Sequence, residues 1–486
     1  MIERIRPGTG IGGYHVDALL HSGGNGYVYE VHPVAGGDSD MPLVMKAPGL
    51  GPGQPSIGIV SFEIEQMILP TLAGPHVPRF VATGDAGTLP WIVMERITGE
   101  RLVSIAEKAP LPSGEVARIG AGLADAVHAV HRQDVVHLDL KPENFIARTS
   151  GEWVLLDYGF AHHARYPDLL AEERHHAAGS VAYVSPEQVR GDRTDPRSDV
   201  FALGALLYQL ATGALPFGEP STIAGLRDRL WRSPSPPRAL NPDVPPWLQE
   251  VVLHALEVDA SRRYASAAHV AFDLRHPDAV QLTARAQRVA SDGFLAQASA
   301  WWRAKREANE PASSRVRAGE APVVLVAVDT EHPDDERHPA LRAATRAIVS
   351  VTGDFRLMFV SVIRAAPVGE GERLEDTDSG RQLEHRNRLR HWVEPLRLPP
   401  SRQSLHVVES ADPAGTLLEL AAANHVDLIV IGAPGPSERA LAWWRSAASK
   451  ITANAHCSVH LVRVRERRGD GEGETDGTGG ERDAAT

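Results

Sequence analysis

At 486 residues the chain is too long for one ordinary core, and with 43% hydrophobic and 23% charged residues most of it is expected to be globular, in two to four domains. A formal net charge of −12 argues against a nucleic-acid binder, whose phosphate partner needs a net basic face. The single cysteine, Cys457, can close no intramolecular disulfide and fits a reducing cytoplasm; with no apolar leader in MIERIRPGTGIGGYH and no apolar run of about 20 residues, the expectation is a soluble, cytoplasmic protein without a membrane partner.

From residue 12 onward, short apolar runs (YHVDALL, YVYEVHP, PLVMKAP, WIVMERI) alternate with Gly and Pro clusters and read as strands. Between them SFEIEQMILPTL has helical spacing, with Phe62, Ile64, Met67, Ile68 and Leu72 sharing much of one face. From Ser113 the character is helical: GEVARIGAGLADAVHAVHRQ is amphipathic, and DVFALGALLYQLATG is nearly all apolar and should be buried. A strand-rich lobe over about 12–97 and a helical lobe over about 98–276 imply two packed units with a cleft between them. Residues 277–320 read as a helical linker, in which Trp301 and Trp302 are expected to dock on a domain. Over 321–465 five apolar strands (PVVLVAVD, RLMFVSVI, SLHVVES, VDLIVIGAP, SVHLVRV) alternate with helical stretches, the pattern of a parallel α/β sheet covered on both faces. The Gly- and charge-rich tail, 466–486, is expected to be disordered.

Several residues in the first two lobes have types and spacings that suit phosphate chemistry. In His21-Ser-Gly-Gly-Asn-Gly-Tyr-Val28, glycines 23, 24 and 26 would let the backbone approach a phosphate without Cβ clashes, although taken alone that segment reads better as a plain β-hairpin. Only five of the 50 basic residues are lysines (Lys46, Lys108, Lys141, Lys305 and Lys450), so a lysine inside the strand Val44-Met45-Lys46 is informative, because a compact ammonium and a guanidinium are not interchangeable in a phosphate pocket. The following helix offers Glu65 as its carboxylate partner, with Glu63 ranked second. Further on, Val136-His137-Leu138-Asp139-Leu140-Lys141-Pro142-Glu143-Asn144 precedes the strand WVLL and then Asp157-Tyr158-Gly159. Gly179-Ser180 leads to Tyr183-Val-Ser185-Pro186-Glu187, then Asp199 in SDVFALG and Arg263 in DASRRYAS.

Taken together and in this order, these segments resemble the protein kinase family, in its bacterial serine/threonine form, over residues 12 to about 276. The resemblance implies the bilobal α+β kinase fold and transfer of phosphate from Mg·ATP to a Ser or Thr hydroxyl of a protein. It makes Asp139 the base, Lys141 its phosphate-side partner, Lys46 with Glu65 the phosphate clamp, and Asn144 and Asp157 the Mg²⁺ ligands. Gly23, Gly24, Gly26 and Val28 would cover ATP, Met94 would be the gatekeeper, and Glu95 and Ile97 would offer backbone hydrogen bonds to adenine. Asp199 would brace the catalytic loop, and Glu187 and Arg263 would form a buried ion pair.

Departures from the family pattern carry information. His21 stands where the glycine loop opens with glycine, and Leu138 where many kinases carry an arginine that pairs with a phosphorylated loop. Between Asp157 and Gly179 there is no Ser or Thr, so a cationic pocket for a loop phosphate is unnecessary and no switch of that kind is expected. The same loop holds His162, His163, His175 and His176; without a completing carboxylate or Cys they read as part of a solvated loop rather than a metal site. The alternative to an active enzyme is a pseudokinase scaffold that binds ATP and signals by conformation.

The strands Val324–Asp329, DLIVIGAPG and HCSVHLVRV resemble the universal stress protein family, a five-stranded α/β fold, often dimeric, whose members include nucleotide binders. That resemblance implies a second nucleotide site at Asp329, Gly432, Gly435 and Ser446, with Arg445 standing where the family's last glycine would be. A regulatory or dimerising module without ligand is the alternative.

Overall fold

The computed structural model describes residues 5–23, 26–34, 41–49, 57–86, 89–172, 180–220, 222–290, 322–335, 337–351, 355–364, 378–433 and 442–463. Trp301, Trp302, His175, His176 and the tail after residue 465 lie outside them. No helix among the described residues is long and apolar enough to cross a membrane.

The N-terminal lobe is an antiparallel sheet of β1 (Gly10–Ile11), β2 (Tyr14–Gly23), β3 (Gly26–Pro33), β4 (Leu43–Ala47), β5 (Phe80–Ala86) and β6 (Leu89–Glu95), in the order β1-β2-β3-β4-β6-β5. Strand alternation decides which way β4 aims its side chains. Leu43, Met45 and Ala47 join Val16, Tyr29 and Val93 in a core on the outer face, whereas Val44 packs on the inner face with Ile92, Met94 and helix α1 (Ile57–Ile68). Lys46 therefore points inward too. On α1, Val60, Ile64 and Ile68 recur every four residues and are buried in that inner core.

Below the cleft, β7 (Gly99–Arg101), β9 (Phe145–Arg148) and β10 (Trp153–Leu155) form a small sheet, and β8 (Val135–Val136) pairs with β11 (His162–His163). The helical lobe comprises α2 (Leu102–Ala106), α3 (Ser113–His131), α4 (Leu169–Glu172), α5 (Pro186–Val189), α6 (Arg197–Thr212), α7 (Ile223–Arg227), α8 (Pro237–Leu240), α9 (Pro246–Ala255), α10 (Ala267–Arg275) and α11 (Ala284–Gln287). Helix α6 is buried nearly all round, as its composition requires, against α3, α9 and α10. Packing of this lobe carries on past His276, because buried Glu250 accepts from the Thr283 amide at 3.0 Å and from Arg285 Nε at 2.8 Å.

The C-terminal unit is a five-stranded, all-parallel sheet in the order β14-β13-β12-β15-β16: β12 (Val323–Ala327), β13 (Arg356–Ile363), β14 (Gln403–Glu409), β15 (Leu428–Gly432) and β16 (Ser458–Val462). Helices α12 (Arg337–Val351), α13 (Asp378–Val393), α14 (Pro413–Ala423) and α15 (Ala442–Asn454) connect them. Along β12, Val324 and Val326 enter one core with Leu341, Leu389 and Trp392, while Leu325 and Ala327 enter the other with Leu417 and Ile451. Both faces are thus covered, which is why these strands read as continuous apolar runs.

Glu187 and Arg263, 76 residues apart in sequence, form the buried ion pair of the helical lobe. The guanidinium grips both carboxylate oxygens at 2.5 and 2.8 Å, Ser198 Oγ donates to the same carboxylate at 2.8 Å, and the Arg263 side chain has no exposure. Removing one partner of so dry a pair strands the other charge. Arg263→Ala should cost the lobe about 3–5 kcal/mol in denaturant unfolding, whereas Arg275→Ala, which loses only the exposed pair with Asp125, should cost below about 1 kcal/mol. Equal, small losses for both variants would remove the structural role given to Arg263.

Candidate active site

Between the two lobes lies a cavity of about 580 Å³, lined by residues from β2, β3, β4, α1 and β6 above and from the loops flanking β9 and β10 below. That is the size of a small-molecule site. Its glycine-rich roof is shaped by one backbone constraint in particular. Gly26 has φ +115°, and a Cβ there would lie 2.3 Å from the Ala47 carbonyl oxygen, so only glycine fits. Gly23 pairs with Gly26 across the hairpin, and His21 pairs with Val28, its ring lying beside Gly23. Gly24 falls outside the described residues.

In the cleft, Lys46 meets two carboxylates. Its ammonium donates to Glu65 of α1 and, at 2.9 Å, to Asp157. Burial alone would lower the pKa of this amine, but Asp157 and Glu65 outweigh it and hold Lys46 well above the ordinary lysine range. Asp157 reaches this position with φ +62°, a strained conformation fixed by its surroundings. Glu63, the second-ranked candidate for this role, is not in the cleft: it lies on the other side of α1 and pairs with Arg386 and Arg390 of α13.

Asp139 is 2% exposed at the floor of the cleft. Lys141 Nζ donates to its Oδ2 at 2.8 Å, Asn144 Nδ2 to the same oxygen at 3.3 Å, and the Ser180 amide to Oδ1 at 2.6 Å. Asn144 Nδ2 also donates to the Asp139 carbonyl at 2.8 Å, which fixes the amide and turns its oxygen the other way. The loop is shaped from beneath by Asp199, whose two oxygens accept the His137 amide at 2.7 Å and the Leu138 amide at 2.8 Å, the latter at a residue with φ +63°. Burial would raise the Asp199 carboxyl, but the His131 bond at 2.8 Å and the loop amides overrule it and hold it below the usual carboxylate range.

Three of these supports escaped sequence reasoning. His131 closes on Asp199; His137 takes the Asp139 amide on Nδ1 at 3.3 Å and lies 3.0 Å from the Leu156 carbonyl through Nε2; Gln188 donates to the Leu138 carbonyl at 2.9 Å. Burial keeps the His137 imidazole below its ordinary pKa, hence neutral, as one donor and one acceptor nitrogen require. The signal for Gln188 was present: Ser185 and Gln188 form a capping box at the start of α5.

At the back of the cleft Met94 is buried, and Val28, Glu95 and Ile97 line the cavity. The Glu95 amide donates to the Arg79 carbonyl at 2.9 Å, so what this residue can offer a ligand is its carbonyl. Its side chain is held by Arg148, which draws the carboxyl below its ordinary pKa.

Two histidines differ from the solvated loop expected of them. His162 and His163 form β11 against Val136 and Val135, and His163 is 3% exposed, edge-on to Tyr166. Among the described residues, the group with metal-binding potential is instead His15, Asp17 and His32 on the surface of the β2–β3 ribbon, where both rings already hydrogen-bond the carboxylate. In the C-terminal unit the strand order reverses at β12, which puts the topological switch point of the sheet between the carboxyl ends of β12 and β15. Asp329 and Gly432 sit there, but Asp329 accepts the Glu331 amide at 3.0 Å and contacts the His332 ring at 2.9 Å, and so is turned to its own loop. Gly435, and the side chains of Arg445 and Ser446 at the start of α15, lie outside the described residues.

Comparison with known proteins agrees with this geometry. Residues 14–273 match the protein kinase domain and residues 320–463 the universal stress protein family. A probable serine/threonine-protein kinase of Clostridium perfringens is 30% identical over 214 residues, 44% of this chain and 31% of that protein. Serine/threonine-protein kinase PknB of Mycolicibacterium smegmatis is 32% identical over 238 residues, 47% of this chain and 38% of the relative. Serine/threonine-protein kinase PknL of Mycobacterium tuberculosis is 31% identical over 262 residues, 54% of this chain and 64% of the relative. The chain thus spans between about one third and just under two thirds of these relatives. With the match spanning more than half its length and the motif residues gathered in one cleft, the chain belongs to the protein kinase family and carries a universal stress protein domain behind its kinase domain.

Proposed function

We propose that the chain transfers the terminal phosphoryl group of Mg·ATP to a serine or threonine hydroxyl of a protein. The observation that carries this reading is the gathering of Lys46, Glu65 and Asp157 on one side of the cleft and Asp139, Lys141 and Asn144 on the other. Asp139 accepts the proton of the acceptor hydroxyl as its oxygen bonds to phosphorus and the bond to ADP breaks. Lys141, beside it, neutralises charge on the moving group. Lys46, held charged by its two carboxylates, binds the phosphates that remain with ADP, and Gly26 gives them a close backbone. The purine fits between Val28 and the Met94–Ile97 strand end.

Asn144 and Asp157 offer the hard oxygens that Mg²⁺ prefers, and the Asn144 amide is already oriented by Asp139. The ion, when bound, supplies charge neutralisation on the phosphates. A scaffold without catalysis would need none of Asp139, Lys141 and Asn144 in register, which supports the enzyme reading over the pseudokinase. Ser180, bonded through its amide to Asp139, stands where the serine/threonine branch of the family places a hydroxyl residue. For the C-terminal domain we propose a regulatory role, with a second nucleotide at the β12–β15 switch point or pairing of two copies as its means. The lone Cys457 supports a reducing, cytoplasmic setting.

Asp139→Asn should reduce transfer to a generic protein acceptor by at least about 100-fold while ATP affinity, read by calorimetric titration, changes little. Substantial residual activity would refute the assignment of the base. Because Leu138 occupies the position of the phosphate-reading arginine and is buried, phosphatase treatment of the purified enzyme should leave its activity unchanged. Loss of activity on removing a phosphate mapped to Tyr166 would contradict that.

A further inference from the structure

Glu63 and Glu65 stand two residues apart on α1, hence on nearly opposite faces of the helix. Glu65 turns into the cleft to Lys46. Glu63 turns out to the C-terminal domain, where Arg386 of α13 closes a fork on its carboxylate: Nε donates to Oε1 at 2.6 Å and Nη2 lies 2.5 Å from Oε2. Arg390, one turn further along α13, reaches the same Oε1 at 3.1 Å. This is no ordinary surface pair, for the Arg386 and Glu63 side chains are only 5% and 13% exposed. Ile59, one turn before Glu63, packs on Leu383, one turn before Arg386, with Leu89 alongside. Leu383, Arg386 and Arg390 share one face of α13, while Leu389, Trp392 and Val393 serve that domain's own core.

The same domain comes close to the loop that follows Asp157. Arg356, the first residue of β13, is within electrostatic reach of Asp168. Asp168 is itself paired with buried Arg193 at 2.9 Å and bonds the Ala171 amide of α4, the short helix that packs on α1. The C-terminal domain therefore bears on α1 directly, and its Arg356 adds a positive charge near the segment that leads into α4.

We infer that the C-terminal domain braces helix α1, and that Glu63, Arg386 and Arg390 are positioning residues that keep Glu65 on Lys46. A helix of 12 residues transmits such a load as a rigid rod, so an outward shift at Glu63 withdraws Glu65 by a similar distance. The inference rests on the reading of this chain as a kinase, and it makes the C-terminal domain a positive effector of transfer.

The test uses the full chain with Glu63→Arg, Arg386→Glu and the double reversal, beside Asp125→Ala as a surface-charge control. Two quantities are read: kcat with KM for the acceptor, and amide hydrogen exchange across α1, which needs no catalysis. Each single reversal should lower kcat about tenfold, leave the acceptor KM nearly unchanged and speed exchange in α1. The double reversal should restore both readouts to near wild type, and the control should move neither. Singles that leave kcat and exchange unmoved, singles that raise kcat, or a double reversal no better than the singles would each overturn the brace. If the wild-type chain transfers no phosphate, the kinase reading fails by itself, and the exchange pattern alone decides whether α1 is braced.

Discussion

A lysine ammonium almost out of water must be matched by negative charge at once, and the architecture of this protein follows from where that charge comes from. Lys46 takes one carboxylate from α1 and another from the loop after β10, 111 residues further along the chain. Desolvating three charges together is costly, and it succeeds only if each arrives in the right geometry. Strand alternation turns Lys46 inward, the four-residue apolar spacing of α1 seats Glu65, and the strained backbone of Asp157 brings its side chain to the same point. The cleft between the lobes is the space around this cluster, and a phosphate entering it meets an amine already charged and already placed.

The floor of the cleft solves a different problem with the same means. Asp139 must be held still without being quenched, and it is held by bonds to an ammonium and two N–H donors rather than by an opposing guanidinium. Asp199 holds the backbone of the loop, accepting two consecutive amides that the strained turn at Leu138 leaves pointing inward. Glu187 and Arg263 fix the segment that runs from Ser180 to α6. Each of these anions is buried and hydrogen-bonded, so the floor of the cleft is held from several directions at once.

Much of this was legible in the sequence where function depends on residue type. Lys46, Glu65, Asp139, Lys141, Asn144 and Asp157 stood out through the motif order that resembles the kinase family, and the structure gathers them in one cleft. What could not be read were groups that act through the backbone, such as His131, His137 and Gln188, since many polar residues can bond an amide or carbonyl. Glu63 could not be separated firmly from Glu65 by helical spacing alone, because its partners lie more than 320 residues away in another domain. His162 and His163 resembled a solvated loop through their polarity, yet main-chain pairing with Val135 and Val136 is indifferent to side-chain polarity. Within the C-terminal unit, the alternating cores on the two sheet faces were visible as apolar runs, while the local engagement of Asp329 was not.

The most direct measurement is to incubate the purified chain with radiolabelled ATP, Mg²⁺ and a generic protein acceptor, and to identify the phosphorylated residue after acid hydrolysis. Label should appear on phosphoserine or phosphothreonine and depend on the divalent ion. Label on phosphotyrosine alone, or nucleotide binding with no transfer to any acceptor, would contradict it.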